Sequence, residues 1–186
     1  MTKTSEMKET FKTLLTRELV LEPRLAEEFG LNELLQAPAS DGDANGQPVL
    51  QALDRGESIT ELGLEKALKE ELKRNKLFAF TKPTAEKVES IEEDAEKYQV
   101  YCQLAACDGV GRAPARAARL LEEAGTIEDG WARHHHLQGL IQGLRKNYES
   151  AREELEVAME NEPFQNGKVR IEQALRYCEE FVQQEA

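Results

Sequence analysis

The chain has 186 residues and sets 24 Lys and Arg against 36 Asp and Glu, a formal net charge of −12. Phosphate backbones would meet that field as repulsion, which argues against nucleic-acid binding and for a basic or apolar protein surface as partner. Charged residues make up 32% and aromatic residues 6%, the profile of amphipathic helices, so the composition predicts an all-α fold of one domain, or one domain with an N-terminal extension.

Cys102, Cys107 and Cys178 are an odd number without a C-x-x-C pair. They point away from a disulfide framework or a zinc ribbon and read as buried free thiols of a reducing compartment. The opening MTKTSEMKETFK is charged throughout. No later run approaches the ~18 apolar residues of a membrane span. The expectation is a cytoplasmic protein with no membrane partner.

In chain order, Met7, Phe11, Leu14, Leu15 and Val20 fall at near-helical spacing and predict an amphipathic helix over 5–20. Pro23 starts a second helix that Gly30 ends, and LNELLQ gives a short third. Residues 37–48, APASDGDANGQP, read as a loop or hinge that divides an N-terminal segment, 1–47, from a helical domain, 48–186. Asp41, Asp43, Asn45 and Gly46 match the first half of a calcium loop. The second half fails, with Ala52 where a bidentate Glu is required, so no metal or cofactor is assigned.

Ser58 and Glu61 form a capping box for a helix running to about Asn75. KLFAF at 76–80 packs on the body before a turn at Thr81-Lys82-Pro83. From Pro83 the apolar seam Val88, Ile91, Ala95, Tyr98, Cys102 and Ala105 predicts a long interior helix. Further helices follow at 113–124, 131–144, 148–161 and about 168–184, the last as a terminal cap.

Two of these stretches share a pattern. Ala117, Leu121 and Ala124 recur 34 residues on as Ala151, Leu155 and Ala158, and Tyr101 and Ala105 recur as His135 and Gly139; Pro163 closes the second copy. The period and the placing of small residues resemble the tetratricopeptide repeat, over about residues 98–163. The resemblance implies antiparallel helical hairpins in a right-handed superhelix, with a groove of first helices that binds a peptide; an unrelated helical bundle is the alternative. The second copy departs from the family at Gln138 and Gln142, and His136 and Leu140 stand where some members clamp a carboxylate.

Chemistry-bearing residues are sparse. His134, His135 and His136 are consecutive, and consecutive helical residues point about 100° apart, which argues against one shared metal ion. No phosphate loop, nucleophile elbow or Glu-x-x-His is present, so no catalytic residue and no enzyme activity is assigned. Arg112, Arg116 and Arg119 form a basic cluster for an acidic peptide, against salt bridging as the bland reading. Trp131 is either a binding anchor or a core plug, and burial is expected. The partner-binding set is Tyr101, Arg112, Arg116, Arg119, Trp131, His135 and Gln142. The expected function is an adaptor or chaperone-like module for a protein or peptide. The alternative is an assembly subunit, such as a homo-oligomer, that exchanges its N-terminal helices.

Overall fold

A computed structural model describes residues 3–39 and 46–185, and the partial calcium pattern at 41–45 lies outside them. Among the described residues the chain is all-α, with no strand beyond an isolated bridge between Pro38 and Pro48. The helices are α1 (Lys3–Val20), α2 (Pro23–Glu28), α3 (Asn32–Gln36), α4 (Val49–Asp54), α5 (Glu65–Glu71), α6 (Arg74–Lys87), α7 (Asp94–Val110), α8 (Pro114–Ile127), α9 (Ala132–Leu144), α10 (Tyr148–Asn161) and α11 (Gln165–Glu185).

Helices α7 and α8 form one antiparallel hairpin and α9 and α10 a second, stacked through α8 and α9; α11 packs on α10. The spacing of 34 is kept by the backbone. Helices α8 and α10 begin and end 34 positions apart, and so do the ends of α7 and α9. The turn after each of these two first helices uses a left-handed residue that is not glycine, Arg112 (φ 71) and Lys146 (φ 67), again 34 apart. Such a residue is uncommon, so its recurrence marks one turn design used twice. Within the second hairpin, a Cβ at Gly139 would lie 2.4 Å from Leu155 Cγ, so the small residue of the pattern sets the closeness of α9 and α10.

Helix α1 lies across both first helices, α7 and α9. Two glycines 34 apart make room for it. At Gly109 a Cβ would meet Leu15 Cδ2 at 2.4 Å, and at Gly143 it would meet the Phe11 ring at 2.4–2.6 Å. Phe11, Leu15 and Leu19 are fully buried. At ~1.5–3 kcal/mol for each such side chain, their burial stabilises α1 on the body by roughly 5–9 kcal/mol before ordering entropy is subtracted. A single apolar core therefore runs from Met7 to Phe181, across the 47/48 boundary drawn from the loop.

The middle of the chain differs from its predicted elements. The helix expected over 58–75 shortens to Glu65–Glu71. Ser58 Oγ does accept the Glu61 N–H (3.0 Å), yet Gly63 at φ 68 breaks the run. Lys73 is extended and opens α6, which passes through Pro83 instead of turning there. The hydroxyls of Thr81 and Thr84 donate to the Phe78 and Phe80 carbonyls in that stretch. The seam from Pro83 is also broken: after a 3₁₀ turn at Val88–Ser90, Ile91 is extended, and α7 starts only at Asp94, where Asp94 and Glu96 complement the helix N-terminus.

Gly143→Ala gains about 1 kcal/mol of helix propensity and loses more to overpacking, about 1–3 kcal/mol. The expected net is a loss of about 1 kcal/mol, lowering Tm by about 2–4 °C. Phe11→Leu in the same background should recover part of it. Thermal denaturation of the single and double variants checks this, and a raised Tm in Gly143→Ala would contradict the close approach.

Candidate functional site

The residues proposed from sequence to bind a partner do not gather on one face. Tyr101 is buried and its hydroxyl donates to Glu89 Oε1 (2.6 Å). Gln142 accepts from Asn147 Nδ2 (2.9 Å), and His135 turns to Glu154 on α10. Arg116 holds Asp108 through two bonds of 2.8 Å, as the salt-bridge reading anticipated, and Arg112 and Arg119 are exposed beside it. Trp131 is 42% exposed, where burial was expected, and rests edge-on against Tyr98 with centroids 4.7 Å apart. It sits at the N-cap of α9, where the chain leaves the body before the helix begins.

Sequence reading missed the densest polar constellation. Glu18, on α1, is 0% exposed and sits among three guanidinium groups. Arg133 NH1 donates to Glu18 Oε1 (2.7 Å) and NH2 to the Glu18 carbonyl (3.0 Å), while Arg170 Nε donates to Glu18 Oε2 (3.0 Å). Arg133 also holds Glu22, and Arg170 holds Asp54 Oδ1 (2.9 Å). Arg17 reaches the Gly56 carbonyl (3.0 Å) and Gln173 Oε1 (2.8 Å). Gly56 itself adopts φ +104, and a Cβ there would stand 2.8 Å from Gln173 Nε2. Local periodicity carries no trace of this cluster, because Arg133 and Arg170 lie more than a hundred positions from Glu18. The available signal was Arg and Glu on otherwise apolar helix faces.

Buried His136 completes the group, with Nδ1 3.6 Å from Glu18 Oε1. Burial pushes the His136 ring down to about 4, with the attraction of Glu18 opposing it and the arginines adding repulsion. Burial alone would raise Glu18, but the charges of His136, Arg170, Arg133 and Arg17 outweigh it and hold the carboxyl well below the usual range. At neutral pH His136 is uncharged, so the arginines carry the pairing. His136, at a position where some members of the repeat family that the chain resembles clamp a carboxylate, thus faces a carboxylate of the chain's own α1.

A second cluster lies where α8 ends and α9 begins. His134 is buried. Its Nδ1 is 2.7 Å from the Tyr98 hydroxyl, which also accepts the His134 backbone N–H (2.8 Å). His135 Nδ1 is 2.7 Å from Glu154 Oε2 and its Nε2 is 2.9 Å from the Asp129 carbonyl. The two rings are 4.0 Å apart at their centroids, so these consecutive histidines converge against expectation: the rings tilt together, and their distal Nε2 atoms both reach Asp129. Burial and neighbouring His135 lower His134 below the ordinary histidine range, with Asp129 opposing.

All three thiols are buried and unpaired. Burial raises each above its ordinary value, Cys102 and Cys178 to about 12. None is a thiolate at neutral pH, so none is an activated nucleophile.

The chain matches no protein-family model, no curated protein and no solved structure.

The depressed His136 and Glu18 values fix a pH dependence. Each group takes up its proton more readily when unfolded, so the stability each contributes is full above its unfolded value and declines as pH falls toward its folded value. Stability should fall from about pH 6.5 toward pH 4 through His136, and Glu18 should add to the loss below about pH 4.5. His136→Gln should flatten the first part of that limb. Urea denaturation at pH 7, 5.5 and 4.5 checks it, and an unchanged slope in His136→Gln would refute the assignment.

Proposed function

We propose that the chain is a non-enzymatic protein-binding module, adaptor or chaperone-like, in which two tetratricopeptide-like hairpins present a first-helix face to an amphipathic helix. One observation carries this reading: that face already holds a helix. The α7 and α9 surface takes α1 by two glycine notches and a carboxylate grip, with Phe11 and Leu15 in the notches and Glu18 held by Arg133 and Arg170. A partner helix would need the same features, namely large apolar residues four apart and an acid one turn beyond them. It would take the place of α1, and would have to match the burial that α1 provides.

The chemistry of the face favours binding over catalysis. Glu18 and His136 are buried where α1 meets α9, and the cysteines are held as thiols. Assembly is the second reading. Helix α1 meets α9 and α11 through residues more than a hundred positions away, so a neighbour's α1 could make the same contacts in an exchanged dimer.

A labelled peptide with the sequence of residues 3–20 tests the first reading against full-length protein. Wild type, with its face filled, should bind weakly; Glu18→Gln, with α1 loosened, should bind at least about tenfold more tightly, the scale of ~1.4 kcal/mol. A protein recovered from a lysate supports the proposal only if this peptide displaces it. No peptide binding by a folded Glu18→Gln variant whose α1 amides exchange faster would sink it. A concentration-dependent dimer by sedimentation, in protein that binds no peptide, would favour exchange instead.

A further inference from the structure

The second cluster makes no use of α1 and is independent of partner binding. Its geometry is that of a ligand set. Asp129 Oδ1 is 3.6 Å from His134 Nε2 and 3.4 Å from His135 Nε2, and the three donor atoms all lie within 4.8 Å of one another. Donor atoms about 2.0–2.1 Å from a tetrahedral zinc ion stand about 3.4 Å apart. Two of the three edges therefore already have the length a bound ion requires. The third edge, between the two imidazoles and no longer than 4.8 Å, closes by further tilting of rings that already stand at 39° to each other, and Asp129, 86% exposed, can follow.

The imidazoles are oriented for the task. Ligating histidines usually give their other ring N–H to a fixed oxygen acceptor, which sets the tautomer and points the lone pair at the metal. His135 has the Glu154 carboxylate at 2.7 Å from Nδ1, and His134 has the Tyr98 oxygen at 2.7 Å from Nδ1. That oxygen also accepts the His134 backbone N–H, and a hydroxyl oxygen with two lone pairs can accept from Nδ1 as well.

That arrangement leaves an anomaly. His134 is only 4% exposed, yet its Nε2 has no hydrogen-bond partner among the described residues; the 3.6 Å to Asp129 is too long for one. A buried polar atom without a partner is destabilising, and this one is aimed at the space between Asp129 and His135. The residue that borders that space on α8 is Gly125, where a Cβ would stand 3.4 Å from His134 Nε2 and 4.0 Å from Asp129 Oδ1.

We propose that His134, His135 and Asp129 bind one divalent first-row transition-metal ion, of the zinc class, with Tyr98 and Glu154 positioning the two imidazoles. Two imidazoles and one carboxylate suit zinc, nickel, copper or iron and disfavour magnesium and calcium, which take oxygen ligands. The exposed side of Asp129 leaves a fourth position to water. On binding, His135 Nε2 exchanges the Asp129 carbonyl for the ion.

Cobalt(II) and zinc are the probes, on the reduced full-length chain. Cobalt should give the visible absorption of a tetrahedral site at one ion per chain, without a thiolate charge-transfer band, and zinc should displace it. Asp129→Ala, at an exposed position, should weaken zinc by at least about tenfold while leaving the helical circular dichroism unchanged. Glu154→Gln should weaken it about 10–100-fold, the range for a lost supporting hydrogen bond. His135→Ala should abolish uptake. Magnesium should neither bind nor compete. No cobalt or zinc uptake, a thiolate band indicating cysteine ligation, or zinc affinity unchanged in folded Asp129→Ala and His135→Ala would overturn the proposal.

Discussion

The contact on which the rest of the structure depends is the Glu18 carboxylate between Arg133 and Arg170. It joins the first helix to α9 and α11, and through Asp54 to α4, so four segments distant in sequence meet at one buried charge. Breaking one partner of such a group leaves the others charged and desolvated, which costs about 3–5 kcal/mol. The arrangement is tolerable because Glu18, Arg133, Arg170 and Arg17 each make more than one bond. Arg17 Nε alone of their guanidinium nitrogens is buried without a hydrogen-bond partner among the described residues.

Helix α9 divides its polar residues around this centre. Arg133 and His136, three positions apart, face α1; His134 faces Tyr98 of α7; His135 faces Glu154 of α10. The run of three histidines is thus split among three neighbours, as helical rotation requires. The same rotation was the ground for separating His134 from His135, and there it misled. An angle between Cα–Cβ directions does not fix the distance between Nε2 atoms, which lie at the far ends of planar rings that can tilt toward a common point.

What was legible in the sequence was local. The 3.6-residue periodicity gave the amphipathic helices at both ends of the chain, and small residues recurring at 34 gave the two hairpins with their matching ends. The failures lie where local rules compete. Pro83 signals a break, yet α6 runs through it because Leu77 and Phe80 are buried on one face of that helix. The apolar seam reads continuously through Ile91 although the backbone is extended there, since a spacing of three or four survives a short interruption. The docking of α1 had no local signal at all: Gly109 and Gly143 read as helix-weakening residues until Leu15 and Phe11 fill the space beside them. Likewise Tyr101, His135 and Gln142, foreseen to line a groove, have each turned to a neighbour of their own.

The spacing of α1 has a further consequence. Met7, Phe11, Leu15 and Leu19 are each four residues apart and all buried, so hydrophobicity alone would accept the helix shifted by one turn, each notch receiving the next apolar knob. That shift would bring Leu14 to the place of Glu18, setting a hydrocarbon among guanidinium groups with no counter-charge. A shift the other way would need helix at Glu22, which is extended before Pro23. The buried acid therefore works as a detent: apolar contacts hold α1 against the hairpins, and one carboxylate decides at which notch it stops.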